Sequence, residues 1–301
     1  MSDAHTQQLL TTDPATRLPD YPTTRPNPQS AIRNPQSPVG FLTDTTLCIG
    51  CKACEVACKQ WNGLPLDNLG FTGNSYDNTG DLGAETWRHV AFVEQLADSG
   101  ERPTTMPPFQ SHWLMLSDVC KHCERAGCLE ACPTGAIVRT EFGSVYIQDD
   151  ICNGCGYCLP ACPFGVPALS EIDHRAHKCT LCYDRLKFGQ EPACAKSCPT
   201  DSIQFGTVAE LRTRARTRVA ALRERGVADA RLYGDGELGG TGGIDGLNAM
   251  FILTAPPERY NLPARPSLPQ RETIPSYLTT IGAAVAFGVA AFLSLRERGR
   301  R

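Results

Sequence analysis

Sixteen cysteines, all between residues 48 and 198, constrain this chain more than any other feature. The first and third runs follow C-x2-C-x2-C-x3-C, and the second and fourth only lengthen the loop between their middle cysteines. Because closely spaced Cys-x-x-Cys units bring thiolates together on a metal, the pattern favours metal ligation over a disulfide framework. The four runs are Cys48, Cys51, Cys54, Cys58; Cys120, Cys123, Cys128, Cys132; Cys152, Cys155, Cys158, Cys162; and Cys179, Cys182, Cys194, Cys198.

The spacing predicts iron–sulfur clusters in preference to zinc. In the bacterial ferredoxin pattern, three cysteines of such a run hold one 4Fe-4S cluster and the fourth reaches a second cluster. Proline ends three of the runs, at Pro133, Pro163 and Pro199, as in that pattern, while Lys59 takes this place in the first run. Structural zinc prefers two separated pairs of thiolates and has no use for a repeated three-plus-one run. We therefore predict four 4Fe-4S clusters, with every cysteine a ligand and no catalytic residue.

The sequence between the runs indicates which runs share clusters. Two short strands, at 136–140 and 145–147, are predicted about a turn at Gly143, between the second and third runs. This is the complete linker of a two-cluster ferredoxin, so the first and fourth runs complete each other. The predicted ligand sets are Cys48, Cys51, Cys54 with Cys198; Cys179, Cys182, Cys194 with Cys58; Cys120, Cys123, Cys128 with Cys162; and Cys152, Cys155, Cys158 with Cys132.

Composition divides the rest of the chain. Residues 1–39 are rich in Pro, Thr, Gln and Ser, which predicts a disordered or surface-draped arm. Residues 40–206 form the four-cluster domain, with an insertion after the first run that ends in a predicted strand near 87–96. Residues 207–273 are predicted to hold an amphipathic helix, capped by Thr207 and Glu210, and a Gly/Pro-rich connector. The formal net charge of −3 makes nucleic acid an unexpected partner.

Residues 274–295 contain no charged side chain and are long enough to span a bilayer as a single helix. A buried core helix is the alternative. Gly282, Ala286 and Ala290 recur every four residues, which favours packing against another membrane helix. The basic tail at 296–301 favours an inside C-terminus and an outside cluster domain, although arginines also precede the helix. No secretory signal opens the chain, so we expect any export to depend on a partner.

The segment GFLTDTTLCIGCKACEVACKQWNGLP, residues 40–65, resembles the iron–sulfur beta subunit of membrane-bound formate dehydrogenases. The likeness continues through NSYDNTG, TWRHVAF, HKCTLCYDRL, ELGGTGG and ERYNLPARP to the terminal helix, and covers roughly residues 40–295. It implies an α+β fold of two pseudo-symmetric ferredoxin-like modules, each with two 4Fe-4S clusters, plus an insertion and one C-terminal transmembrane helix. The segment GGIDGLNAMFILTAPP is longer than the family's usual run, which leaves the membrane partner open.

The resemblance also implies a place in an electron-transfer complex. A catalytic alpha subunit with a molybdenum or tungsten pterin would oxidise formate, and a membrane cytochrome b gamma subunit would pass the electrons to quinone. The complex would sit at the inner or cytoplasmic membrane, facing the periplasm, and would be exported on the alpha subunit's twin-arginine signal. The equivalent subunit of another molybdopterin oxidoreductase or of a hydrogenase is the alternative. A zinc protein with a membrane anchor is the hypothesis from a different class.

Overall fold

A computed structural model describes residues 37–66, 70, 73, 77–95, 112–236 and 245–298, so most of the predicted N-terminal arm lies outside the described residues. Short helices and strands alternate, which agrees with the predicted mixture of the two. The strands are β1 (Val39–Asp44), β2 (Arg88–Gln95), β3 (His112–Val119), β4 (Ile137–Arg139), β5 (Val145–Ile147), β6 (Ala168–Leu169), β7 (Ala176–His177), β8 (Ile203–Thr207), β9 (Arg231–Tyr233) and β10 (Ala249–Leu253). The helices are α1 (Ala53–Asn62), α2 (Gly127–Glu130), α3 (Cys158–Ala161), α4 (Tyr183–Lys187), α5 (Ala193–Lys196), α6 (Val208–Glu224) and α7 (Pro269–Arg298), with a 3-10 turn at Pro257–Tyr260.

A four-stranded sheet in the order β8-β1-β10-β9 joins the two ends of the cysteine region. Strand β1, just before the first run, is antiparallel to β8, which follows the fourth run, and parallel to β10. Every residue of β1 and β10 is buried, as expected for strands covered on both faces. Strand β10 comes from the segment that the sequence indicated as a connector, so this segment forms the centre of the sheet.

The two faces of this sheet carry different neighbours because successive side chains of a strand point to opposite sides. Phe41, Phe205 and Ala249 belong to a buried cluster that also contains cysteines of the first, second and fourth runs. Leu42 and Met250 lie on the other face, where they pack against helix α6. The sheet thus separates the cysteine region from the helix. Each fully buried side chain of the size of leucine, methionine or phenylalanine stabilises the fold by about 1.5–3 kcal/mol.

Helix α6 confirms the amphipathic pattern read from the sequence. The Oγ1 atom of Thr207 accepts a hydrogen bond from the backbone N–H of Glu210 at 3.3 Å and donates one to its Oε2 at 2.8 Å. The first of these bonds satisfies a backbone N–H of the first turn, which has no partner within the helix. Arg218, on the buried face, binds Asp44 of β1 at 2.9 Å, and both side chains are almost fully buried. Gly226 adopts a φ of 89° just beyond the helix end, where a left-handed residue stops the helix.

Three hairpins surround the cysteines. The strand predicted near 87–96 is β2, which pairs antiparallel with β3. The two strands predicted between the second and third runs are β4 and β5, which pair antiparallel about Gly143 at a φ of 77°. The third hairpin, β6 with β7, lies between the third and fourth runs.

Among the described residues, one helix is long and apolar enough to cross a membrane. Its apolar window is Ser276–Leu293, with a mean hydropathy of 1.7, and none of the window is buried in the protein. The preceding part of α7 is held to the domain: Gln270 Nε2 donates to the carbonyl of Gly127 in α2 at 2.9 Å. Helix α7 therefore leaves the domain beside the second and third cysteine runs, since α3 also packs against it.

Candidate metal centres

Each cysteine run is built around the same left-handed turn. The residue just before the second cysteine has a positive φ in all four runs, at Gly50, His122, Gly154 and Leu181. Such a conformation costs a non-glycine residue on the order of 1 kcal/mol, so its occurrence at His122 and Leu181 shows how strongly the loop geometry is imposed. A Cβ at Gly154 would lie 2.1 Å from the carbonyl oxygen of His174, so only glycine fits there.

Short helices position the later cysteines of each run. Helices α2, α3 and α5 are each four residues long, and a Cys-Pro pair follows each of them. Helix α1 instead continues to Asn62, because Lys59 stands where the other runs have proline and the helix is free to extend. Cys54 and Cys58 lie four residues apart in α1 and so share one face of the helix.

Two of the predicted ligand sets line recesses of the protein. The first recess is lined by Cys132, Cys152, Cys155 and Cys158, together with the apolar side chains of Ile137, Ile147 and Ala176. The second is lined by Cys58, Cys179, Cys182 and Cys194, with Phe41, Trp87, Arg88 and Val119 among the other walls. In both, the last cysteine of one run meets three cysteines of another.

Electrostatic interactions group the other cysteines in the same way. Burial raises the pKa of the Cys123 thiol well above its ordinary value, and the neighbouring charges of Cys120, Cys162 and Cys128 raise it further. Burial also raises the pKa of the Cys48 thiol, and the neighbouring charges of Cys198 and Cys51 raise it further. Cys54 and Cys198 lie in one buried cluster with Cys48 packed against it. Cys198 and Cys51 are thus neighbours of Cys48, and Cys120, Cys128 and Cys162 are neighbours of Cys123.

All sixteen cysteines are free of disulfides, and several sulfurs are held by hydrogen bonds. Such bonds lower the energy of a thiolate ligand and tune the potential of an iron–sulfur cluster. Thr134 and Thr200, each two residues after the last cysteine of a run, contact that cysteine in the same way. The contacts to Sγ are Ser117 Oγ to Cys54 at 3.2 Å, Leu181 N to Cys179 at 3.3 Å, Ala176 N to Cys152 at 3.4 Å, Asn62 Nδ2 to Cys58 at 3.6 Å, Thr134 Oγ1 to Cys132 at 3.6 Å and Thr200 Oγ1 to Cys198 at 3.8 Å.

Buried cations lie among the cysteines, and they include Arg88, Lys121 and Lys178, each at most 3% exposed. Lys121 is paired with Asp118 at 2.6 Å. Lys178 donates instead to the carbonyls of Val145 and Cys179. A buried cation is costly unless negative charge lies nearby. Four thiolates around an iron–sulfur cluster supply that charge, so the donor set and its surroundings fit such clusters.

The comparisons with known proteins agree with this chemistry. Residues 111–208 match the family model of the 4Fe-4S dicluster domain. The nitrate-inducible formate dehydrogenase iron–sulfur subunit of Escherichia coli is 43% identical over 237 residues, which cover 78% of this chain and 75% of that protein. The formate dehydrogenase iron–sulfur subunit of Haemophilus influenzae is 41% identical over 78% of this chain and 71% of its own.

This protein belongs to the family of formate dehydrogenase iron–sulfur subunits. A more distant relative is the B subunit of the anaerobic dimethyl sulfoxide reductase of Escherichia coli, which is 35% identical over 58% of this chain and 75% of that protein. The cofactors are 4Fe-4S clusters, and sixteen cysteines match the requirement of four such clusters.

The sequence indicated some of the polar residues around the clusters and missed others. The sequence leaves open whether Lys178, next to the fourth run, raises a cluster potential or is solvated; in the structure its side chain is buried among the cysteines. Lys59 is used differently: its Nζ donates to Glu85 O at 2.8 Å and Thr86 Oγ1 at 3.0 Å, which ties α1 to the end of the insertion. Arg88 was missed, since one arginine in a strand gives no pattern.

Neither histidine ligands nor a site for a single metal ion explains how the cysteines are grouped. His177 binds Asp173 at 2.9 Å and His122 accepts from the backbone N–H of Val145 at 3.1 Å. Zinc would require four ligands about 2.0–2.3 Å from one point. In the part of the chain that the structure describes, no three His, Cys, Asp or Glu side chains form such a single-ion site. The ligands of a 4Fe-4S cluster stand farther apart, since each thiolate binds a different iron.

Proposed function

We propose that this chain carries electrons from formate to quinone in a membrane-bound formate dehydrogenase complex. A catalytic subunit with a molybdenum or tungsten pterin oxidises formate, four 4Fe-4S clusters in this chain relay the electrons, and a membrane cytochrome b receives them. One observation carries the proposal: sixteen cysteines in four closely spaced runs occur in a chain that is 41–45% identical to formate dehydrogenase iron–sulfur subunits. The protein acts by holding clusters and has no catalytic site of its own.

Each cluster takes three ligands from one run and one from another, and is named here after the run that supplies three. The first-run cluster uses Cys198 and the fourth-run cluster uses Cys58. The second-run cluster uses Cys162 and the third-run cluster uses Cys132. The recesses and the electrostatic neighbours of the cysteines support these sets.

Two pseudo-symmetric modules follow from these exchanges. The β4–β5 hairpin joins the second and third runs, and the β1–β8 pairing brings together the strands that flank the first and fourth runs. The repeated Cys-Pro-Thr contacts at Thr134 and Thr200 support the same repeat. The proposal includes a division of the chain into five parts: an arm at 1–39, a cluster domain at 40–206, a helix and connector at 207–273, a membrane helix at 274–295 and a basic tail. Strands β9 and β10 of the connector complete the sheet of the cluster domain.

The neighbours of the buried cysteines give the clusters an order. Cys54 and Cys58 on one face of α1 place the first-run cluster beside the fourth-run cluster. Burial is the largest cause of the raised pKa of the Cys179 thiol. Among its charged neighbours, Cys120 of the second run raises this pKa most. Burial and neighbours that include Cys158 of the third run raise the pKa of Cys128 to about 12. The order is therefore first, fourth, second and third.

The two ends of this relay reach the surface. Cys51 of the first run and Cys155 of the third run are the exposed cysteines of the sixteen. Electrons can enter or leave a protein only where a cluster approaches its surface, so these cysteines mark the entry and exit of the relay.

We infer the membrane end of the relay from the base of α7. Gly127 of α2 lies against both Ala161 of α3 and Leu268 just before α7, so the second module sits at the foot of the membrane helix. The third-run cluster then faces the membrane subunit. Exposed apolar side chains near the first run, including Trp61 at 44% exposure and Val56 at 66%, suit the catalytic subunit. The cluster domain lies on the periplasmic side in this proposal.

The protein supplies the surroundings of each cluster. Each 4Fe-4S cluster accepts and releases one electron when bound. The left-handed turns orient the first cysteines of each run, and the Sγ hydrogen bonds fix the sulfurs. The apolar walls exclude water, and the buried cations offset the added negative charge.

The test is to purify the intact complex anaerobically from its membrane and to add formate. We expect about sixteen irons per chain and reduction of the clusters by formate to the level reached with dithionite. Acetate serves as the matched control. An intact complex whose clusters dithionite reduces and formate does not would contradict the proposal. The dimethyl sulfoxide reductase relative supplies the second candidate, in which dimethyl sulfoxide would instead reoxidise the reduced clusters.

A further inference from the structure

Arg88 is a fully buried cation that meets no carboxylate in the described residues. It is 1% exposed. Its Nη1 donates to the carbonyl of Ser117 at 3.2 Å and to its Oγ at 3.1 Å, while Nε and Nη2 have no hydrogen-bond partner in the part of the chain that the structure describes. Its guanidinium carbon lies 4.8 Å from the centre of the Phe41 ring. These neutral contacts do not offset the cost of burying an unpaired charge.

The negative charge that compensates Arg88 must come from the cysteines. Arg88 lines the recess formed by Cys58, Cys179, Cys182 and Cys194, the proposed ligands of the fourth-run cluster. On its other side, the Ser117 hydroxyl that it binds lies 3.2 Å from Sγ of Cys54, a proposed ligand of the first-run cluster. One guanidinium thus reaches two clusters, one directly and one through Ser117.

We propose that Arg88 is a positioning residue that raises the reduction potentials of the first-run and fourth-run clusters. This inference rests on the ligand sets given under the proposed function. The second module has its own buried cations, Lys121 and Lys178, and Lys178 bonds to the carbonyl of Val145 in β5. We therefore expect the largest effect of Arg88 in the first module, where its hydrogen bonds and its recess lie.

The physical reason is the charge of the reduced cluster. Reduction adds one electron to a 4Fe-4S cluster and no proton, so its negative charge grows by one unit. A cation in a low-dielectric interior stabilises that extra charge and favours reduction. Because Arg88 touches the surroundings of both clusters, it stabilises the reduced state of each, and an electron can pass between them without a large uphill step.

The experiment compares Arg88→Met and Arg88→Lys with the wild-type complex. Dithionite and mediators reduce the anaerobic protein stepwise, and electron paramagnetic resonance follows each cluster, with signals assigned through serine variants of the ligand cysteines. Removing the charge is expected to shift the reduction equilibrium of the first-run and fourth-run clusters at least tenfold towards the oxidised form, which is about 59 mV for one electron. Lysine should restore part of the shift.

Arg216→Met is the matched control, since Arg216 is an exposed arginine of α6 paired with Asp235. It should leave all four potentials unchanged. Unchanged first-run and fourth-run potentials in Arg88→Met, or an equal shift of all four clusters, would overturn the inference. If Arg88→Met loses iron, Ser117→Ala decides: the inference expects the first-run cluster to become harder to reduce, and an unchanged potential overturns it. Because dithionite supplies the electrons, these results do not depend on formate being the substrate.

Discussion

Replacing Arg218 with Met should loosen helix α6 from the sheet. The side chains of Arg218 and Asp44 are 4% and 0% exposed, and Nε of Arg218 lies 2.9 Å from Oδ2 of Asp44. Methionine keeps the apolar stem but leaves the carboxylate buried without its cation. Thr46 still donates its N–H and its hydroxyl to Asp44. Breaking one side of a buried pair costs about 3–5 kcal/mol.

This cost can be measured without unfolding the complex. If α6 opens locally, amide hydrogen exchange reports the free energy of that opening. At about 1.4 kcal/mol per tenfold, a loss of 3–5 kcal/mol lowers the protection of the α6 amides by about a hundredfold to a few thousandfold. Arg216→Met on the same helix breaks an exposed ion pair, which contributes little to stability, and serves as the control. Protection in Arg218→Met within threefold of the wild type would refute the reasoning.

Further substitutions, in two matched pairs, test the sheet and the partner surfaces. Gly40→Ala should abolish the iron-loaded protein, because a Cβ there would lie 1.7 Å from the carbonyl oxygen of Asn248. The control is Gly83→Ala, whose Cβ enters open space and which should retain about sixteen irons. Equal iron contents in the two variants would contradict the prediction. Trp61→Ala should reduce co-purification of the catalytic subunit at least tenfold and leave the membrane subunit bound. Tyr157→Ala, beside the third-run cluster, should do the reverse, and a loss of the same subunit in both variants would refute the assignment of the two ends.

Local patterns predicted the elements that depend on local interactions. The period of three and four residues from Val208 to Leu222 is realised in α6 because an apolar face of this kind packs against the sheet. The hairpin about Gly143 was readable because two short apolar segments flank a glycine. The cysteine spacing gave the cofactor because the geometry of a cluster requires that spacing.

Long-range features left no comparable signal. Strand β10 pairs in parallel with β1 across about two hundred residues, and Phe41 lies opposite Ala249. Both strands are buried on two faces, so they lack the alternation that identifies a half-exposed strand. Arg88 and Lys121 gained their importance from burial beside the cysteines, which only the folded protein reveals. The left-handed turn at Leu181 is likewise imposed by the loop and not by its residue type.

Exchange of the last cysteine between runs is the central claim, and a pair of matched variants tests it most directly. Cys162→Ser and Cys132→Ser make the same change at equivalent places in one module, each followed by proline. Electron paramagnetic resonance of the reduced intact complex should show that Cys162→Ser alters or removes the second-run cluster and spares the third. Cys132→Ser should do the opposite. Loss of the third-run signal in Cys162→Ser, with the second-run signal intact, would contradict the crossed ligation and the order of the relay built on it.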